Sequence, residues 1–210
     1  MDESDVTPVR VGRHVTIRPV HAGDYSVLYE IAMFSDAGSR WRLQASTPSQ
    51  DEFLRLIFEN SRATFAIEKN DDHRVIGMVQ LWMYDGLSRN GHITTFLVPW
   101  ARGRGWPLES IILFVDYVFK GFNLHKLYFE SLSPEFEQYG SIVGRILRPE
   151  GCLKDHKWVF GRLVDYHILA LYAEDVPKLT RLLRSRPIER SDHHEATRHI
   201  NPVVLHIADS

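Results

Sequence analysis

The chain has 210 residues, 44% hydrophobic, 25% charged and 11% aromatic, enough for one well-formed core with a tail left over. Its 25 basic and 27 acidic residues leave a formal charge of −2, so no global field draws in nucleic acid or a membrane surface and anion recognition must be local. One cysteine, Cys152, excludes a disulfide framework and fits a reducing compartment; with no secretory pattern in the first twenty residues and no run of ~18 uncharged apolar residues, a soluble, cytoplasmic protein is expected.

Residues 13–20 alternate through Val15 and Ile17 and stop at Pro19, which predicts a first strand. Residues 24–34 place Leu28, Ile31 and Ala32 on one helical face, with Asp24 as N-cap. From 35 to 48 periodicity is lost, and Asp36, Gly38, Arg40, Trp41, Arg42 and Gln44 give the mixture of a binding loop. Ser49 and Glu52 form a capping box that starts a second helix over about 50–61.

Residues 64–69, 75–84 and 92–98 read as three strands, the first two joined by the turn Asn70–His73. Residues 107–119 carry Leu108, Ile111, Ile112, Val115, Val118 and Phe119 at helical spacing, with Pro107 in the first turn, where its missing N–H costs nothing. A strand follows at 124–132, a weaker helix at about 134–147, and a hairpin over 157–172 that pivots at Gly161. Beyond Asp175 the chain turns rich in arginine and histidine, so 175–210 is expected to be a short helix and a flexible tail outside a domain of residues 1–174. The alternation of periods predicts an α/β sheet with helices on both faces.

The junction Pro99–Ile111 sets Arg102, Gly103, Arg104 and Gly105 between two apolar elements. A helix start offers unpaired N–H groups and a partial positive charge, glycine lets backbone approach a phosphate, and arginine pairs with its oxygens. A plain connecting turn with solvated arginines fits the spacing equally. A P-loop is excluded because no Lys-Ser or Lys-Thr follows, and a dinucleotide fingerprint because Leu108 stands where glycine is needed.

Arg102 to Pro107 resembles the acyl-CoA-binding motif [QR]-x-x-G-x-[GA] of the GNAT acetyltransferase superfamily, and the likeness of element order extends over residues 13–172. It is nearest the branch of ribosomal-protein N-terminal acetyltransferases and metabolite-tailoring enzymes of secondary metabolism. The resemblance implies a GNAT fold, a mixed, mostly antiparallel sheet of six or seven strands splayed at its centre. It further implies that acetyl-CoA or another acyl-CoA is the co-substrate, its pyrophosphate on the amides of 103–108 (Gly103, Arg104, Gly105, Trp106, Leu108) with the Arg102 and Arg104 side chains pairing with its oxygens, and its pantetheine arm along Leu97 and Val98. The oxyanion donor is expected near Val98. Pro107 departs from the motif and withdraws one N–H; the family's asparagine and tyrosine in the following helix are replaced here by Glu135 and Ile142, which leaves Tyr139 as a substitute acid.

Transfer to an amine needs a base. His92 is the candidate, at the place where related sequences often carry glutamate, since imidazole ordinarily titrates near ~6.5; a solvated strand-end residue is the alternative. Asp85 could line the acceptor cavity or simply serve the turn beside Gly86. Arg40, Trp41 and Arg42 could recognise an aromatic or anionic acceptor, while His125 and His156 read as strand-end residues. No metal is expected: after His194 and Glu195 the H-E-x-x-H spacing falls on Arg198.

The expected reaction is acyl transfer from CoA to a primary amine of a small molecule or peptide. A GNAT-fold binding module without catalysis, or a donor held on an acyl carrier protein, are the alternatives. A homodimer is left open, and neither nucleic acid nor membrane is expected as a partner.

Overall fold

The computed structural model describes residues 7–36, 43, 46–101, 103–133, 142–159 and 161–185. Eight strands form one sheet: β1 Arg10–Val11, β2 Val15–Pro19, β3 Ser61–Lys69, β4 Val75–Asp85, β5 Asn90–Leu97, β6 Lys126–Leu132, β7 Arg148–Val159 and β8 Arg162–Tyr172. Their order is β1-β2-β3-β4-β5-β6-β8-β7, and every pairing is antiparallel except β5 with β6. The α/β GNAT-type architecture is as expected; the additional strand is β1, two residues too short to give an alternation.

The helices are α1 Tyr25–Met33, α2 Gln50–Phe58, α3 Trp106–Gly121 and α4 Val176–Ser185. One face of the sheet carries α3, whose Ile111, Ile112, Phe114, Val115 and Val118 meet Val79, Leu81, Ile93, Leu127, Phe129 and Leu169 in the larger core cluster. Leu179 of α4 is buried in that same cluster, so the helix after Asp175 is packed onto the domain. The other face carries α1 and α2, which bury Leu28, Ile31, Phe53 and Ile57 against Met78 and Phe96. Gln80 of β4, fully buried, donates from Nε2 to the Ile57 carbonyl near the C-terminus of α2 and to Thr64 Oγ1 (3.1 Å).

The Ser49–Glu52 capping box is formed. Asp24, by contrast, does not cap α1 with its side chain: a 3-10 turn at Ala22–Asp24 precedes the helix, and His21 is its cap. Asp24 is buried instead, taking a bidentate bond from Arg18 (2.8 and 2.9 Å) and the His21 N–H (2.9 Å). Burial works against its ionised form, yet these donors hold its carboxyl below the usual range.

The expected helix over 134–147 is corrected in its second half. Residues 142–147 form turns and an isolated bridge, Val143↔Leu147, while 134–141 lie outside the described residues. β7 also begins nine residues before the expected hairpin. It is an edge strand exposed along nearly all its length, so it carries no buried face to alternate.

Candidate active site at a split sheet

β5 and β6 run parallel and pair only from Asn90↔Lys126 to Ile93↔Phe129. Beyond that point β5 stays with β4 up to Gly77↔Leu97 and β6 stays with β8 up to Leu132↔Tyr166, so the sheet opens into a slot. Gly77 keeps β4 and β5 close there, since a Cβ would collide with the Phe96 carbonyl. Alternate residues of β5 turn their backbone groups to opposite neighbours. The Val98 N–H goes to the Ile76 carbonyl (2.8 Å), so Thr95 and Leu97 face the slot, where the ladder to β6 has ended. The oxyanion donor expected near Val98 therefore cannot be the Val98 amide; that of Leu97 is on the open side.

At the mouth of the slot a 3-10 turn, Pro99–Ala101, leads into the loop before α3. Gly103 and Gly105 have φ of +75° and +80°, left-handed values that suit glycine, and nothing lies within 4 Å of where a Cβ would be on either. Gly105 is the N-cap of α3 and Pro107 lies in its first turn, which leaves the Trp106 and Leu108 amides as first-turn donors beside the glycines. The open space, unpaired amides and helix dipole fit a diphosphate.

The Arg104 guanidinium lies over the Trp106 ring (5.3 Å) while its Nε donates to the Trp100 carbonyl (3.1 Å), and Trp100 and Trp106 meet edge to face. Glu109, a first-turn carboxylate that would repel phosphate, is turned inward. It accepts the Arg13 and His14 N–H groups and lies 3.0 Å from His14 Nδ1.

At the root, one residue before the ladder ends, sits His92, paired across the strands with Trp82 on one side and Tyr128 on the other. Its side chain is 19% exposed, packed against the Trp82 and Tyr128 rings, with Nδ1 3.1 Å from Glu130 Oε1. A solvated strand-end histidine does not match this setting. His92 shares a face with Phe96, and so lies on the side of the sheet that carries α1 and α2.

Glu130 also receives a hydrogen bond from Tyr166. Its burial favours the neutral acid, but the bonds from His92 and Tyr166 outweigh it and keep the carboxyl below its ordinary range. The Tyr166 phenol is pushed up, by burial first and then by the carboxylate it donates to. An ionised carboxylate only accepts, so in the neutral imidazole the Glu130 contact places the hydrogen of His92 on Nδ1 and leaves Nε2 with its lone pair.

Of the residues singled out in the sequence, His92, Leu97, Val98, Gly103, Arg104, Gly105, Trp106 and Leu108 line the slot or its mouth. Asp85 is not brought to His92: it ends β4, is exposed, and accepts the Leu87 and Ser88 amides (2.9 and 3.0 Å) in the β4–β5 turn. Ile142, in the usual tyrosine's place, packs against the core. Arg40, Trp41, Arg42, Arg102 and Tyr139 lie outside the described residues. Glu130 and Tyr166 were missed by sequence reasoning. The signal available was a charged residue mid-strand on the face that Leu127 and Phe129 do not use.

A sheet split between parallel strands, with an amide-rich helix start at its mouth, is the architecture of enzymes that bind an acyl thioester in extended form. Residues 14–134 match the acetyltransferase (GNAT) domain family. The chain belongs to that family and is an N-acetyltransferase that moves an acetyl group from acetyl-CoA to an amine. Among curated proteins it is similar to spermidine N(1)-acetyltransferase of Vibrio cholerae, 26% identical over 118 residues that cover 54% of this chain and 67% of that protein. Among solved structures it is similar to the Vibrio cholerae spermidine N-acetyltransferase in complex with CoA and spermine (TM-score 0.67, 22% identity, 78% of this chain and 98% of that one). It is also similar to a GCN5-related N-acetyltransferase from Brucella melitensis (TM-score 0.65, 21% identity, 84% and 83%). Among the described residues no helix is long and apolar enough to cross a membrane.

Proposed function

We propose that the acceptor is a small-molecule primary amine that reaches the thioester from the α1–α2 side of the sheet, and that His92 takes its proton. The observation that carries this is the His92–Glu130 contact at the root of the slot, 3.1 Å long and mostly shielded from water. Glu130 holds the imidazole by Nδ1–H and stabilises the imidazolium once Nε2 has accepted the amine proton. The amine nitrogen then attacks the thioester carbonyl. The developing oxyanion meets the Leu97 amide on the open edge of β5, and the thiolate leaves along the slot. Diphosphate binding falls to the Gly103, Gly105, Trp106 and Leu108 amides and the Arg104 guanidinium, which favours CoA over a carrier-bound acyl group as the donor. Arg102, Tyr139, Arg40, Trp41 and Arg42 keep the donor, acid and acceptor roles read from the sequence.

The Vibrio cholerae relatives are spermidine acetyltransferases, so polyamines head the acceptor panel. Cytoplasmic residence, a tailoring role in secondary metabolism and a homodimeric assembly belong to the same proposal, the first supported by an exposed, unbridged Cys152. The test is thiol release from acetyl-CoA across polyamines, arylalkylamines and peptide N-termini. Turnover confined to small amines and lost in His92→Ala is the expected result; turnover only on peptides, or a His92→Ala enzyme with unchanged rates, overturns the reading.

A further inference from the structure

Cys152 of β7 is the direct cross-strand partner of His167 in β8, and Asp165 lies two residues before His167, hence on the same face. One donor atom from each, a sulfur, a ring nitrogen and a carboxylate oxygen, all lie within 4.8 Å of one another. None of the three takes part in the slot. The register explains the convergence. Between Leu153↔Tyr166 and Lys157↔Val164, β7 inserts extra residues, and this bulge folds over Asp165 so that the Asp155 N–H (3.1 Å) and Lys154 Nζ (2.7 Å) hold its carboxylate in place. Ser133 Oγ lies 3.1 Å from His167 Nε2 and helps to orient the ring.

We infer that Cys152, Asp165 and His167 form a site for a borderline transition-metal ion of the Zn2+ kind, separate from the acetyl-transfer slot. The donor chemistry selects that class. Thiolate with imidazole suits zinc and its neighbours, whereas calcium and magnesium take all-oxygen sets. Zinc bonds of about 2.0–2.3 Å put tetrahedral ligands roughly 3.3–3.8 Å apart, so the three side chains need only small rotamer adjustments to close on one ion. Three protein ligands leave the fourth position for water. Lys154 is the competitor for Asp165; its side chain is 75% exposed, and an exposed pair of this sort gives way readily. Binding ties β7 to β8 beside Ser133, at the end of β6 that borders the slot.

The chain itself supplies a specific reporter. Cys152 is its only cysteine, so a sulfur-to-cobalt charge-transfer band can come from no other residue, and the histidines of the tail cannot imitate it. Full-length protein, reduced and freed of metal by chelation, is titrated with Co2+ and then with Zn2+. A band that saturates at about one Co2+ per chain and is bleached by Zn2+ supports the site, as do weaker binding by tenfold or more in His167→Ala and Asp165→Asn and tighter binding in Lys154→Ala. Cys152→Ser loses the band while keeping its acetyl-transfer rate, because the position is exposed on the edge strand β7 and has no part in the proposed acetyl-transfer machinery. Absence of the band at one equivalent, or a band that His167→Ala and Asp165→Asn leave unchanged, overturns the proposal. Cobalt that binds with no sulfur signature is metal held elsewhere and overturns it equally.

Discussion

The root at His92 lies roughly 17 Å, five residues at a strand's rise, from the Leu97 end of β5 where the mouth begins, yet root and mouth are built from different material. The mouth is backbone: left-handed glycines and the first amides of α3 at consecutive positions. The root is side chains gathered from four strands, Trp82, His92, Glu130 and Tyr166, which meet only because the sheet aligns β4, β5, β6 and β8. On the proposed roles, such a division separates donor binding from proton transfer, so that each should be open to damage alone.

The largest test is His92→Ala, for which kcat/KM should fall by about 10²–10⁴-fold, the usual worth of a positioned proton acceptor, while calorimetry finds CoA affinity within about twofold of wild type. An unchanged pH–rate profile would remove His92 from the mechanism. The converse is Gly105→Val at the mouth. A β-branched residue at a φ of +80° costs about 1–2 kcal/mol in backbone strain, so CoA affinity should weaken about tenfold while the form of the pH–rate profile persists. If affinity is unaltered, the diphosphate lies elsewhere.

A finer probe of the root is Glu130→Gln, which keeps the shape but withdraws the charge behind Nδ1–H. We expect a rate loss of roughly tenfold at unchanged CoA affinity, smaller in Glu130→Asp, read by steady-state kinetics; equal losses in both would mean that shape and not charge matters. The smallest effect concerns stability. Asp24 and Glu130 both titrate below the ordinary carboxylate range when folded, so their contribution is full above the unfolded values near ~4 and fades as pH falls through the folded ones. Melting temperature should be flat above about pH 5 and drop below about 4, with a shallower drop in Asp24→Asn; an equally steep drop would place the acid sensitivity elsewhere.

The same contrast explains what could be read without coordinates. Gly103, Gly105 and Pro107 are legible because backbone geometry is encoded locally, by which residues tolerate positive φ or lack an N–H. The helices are legible through apolar periodicity, and β7 is not, because an edge strand from Arg148 to Val159 with both faces wet has no pattern to show. Glu130 and Tyr166 lie 38 and 74 positions from His92 in sequence, and nothing near any of the three announces the others. Asp24 was legible as a helix-start acid but not as the partner of Arg18, since that pairing depends on where β2 ends.

The inward turn of Glu109 makes the first turn of α3 and the segment Gly12–His14 a single mechanical unit, joined through one carboxylate. The loop proposed to grip the donor is therefore levered from a segment far upstream in the chain. Trimming the protein back past Arg13, or splicing a rigid fusion partner onto it there, should loosen the proposed nucleotide grip almost a hundred residues downstream.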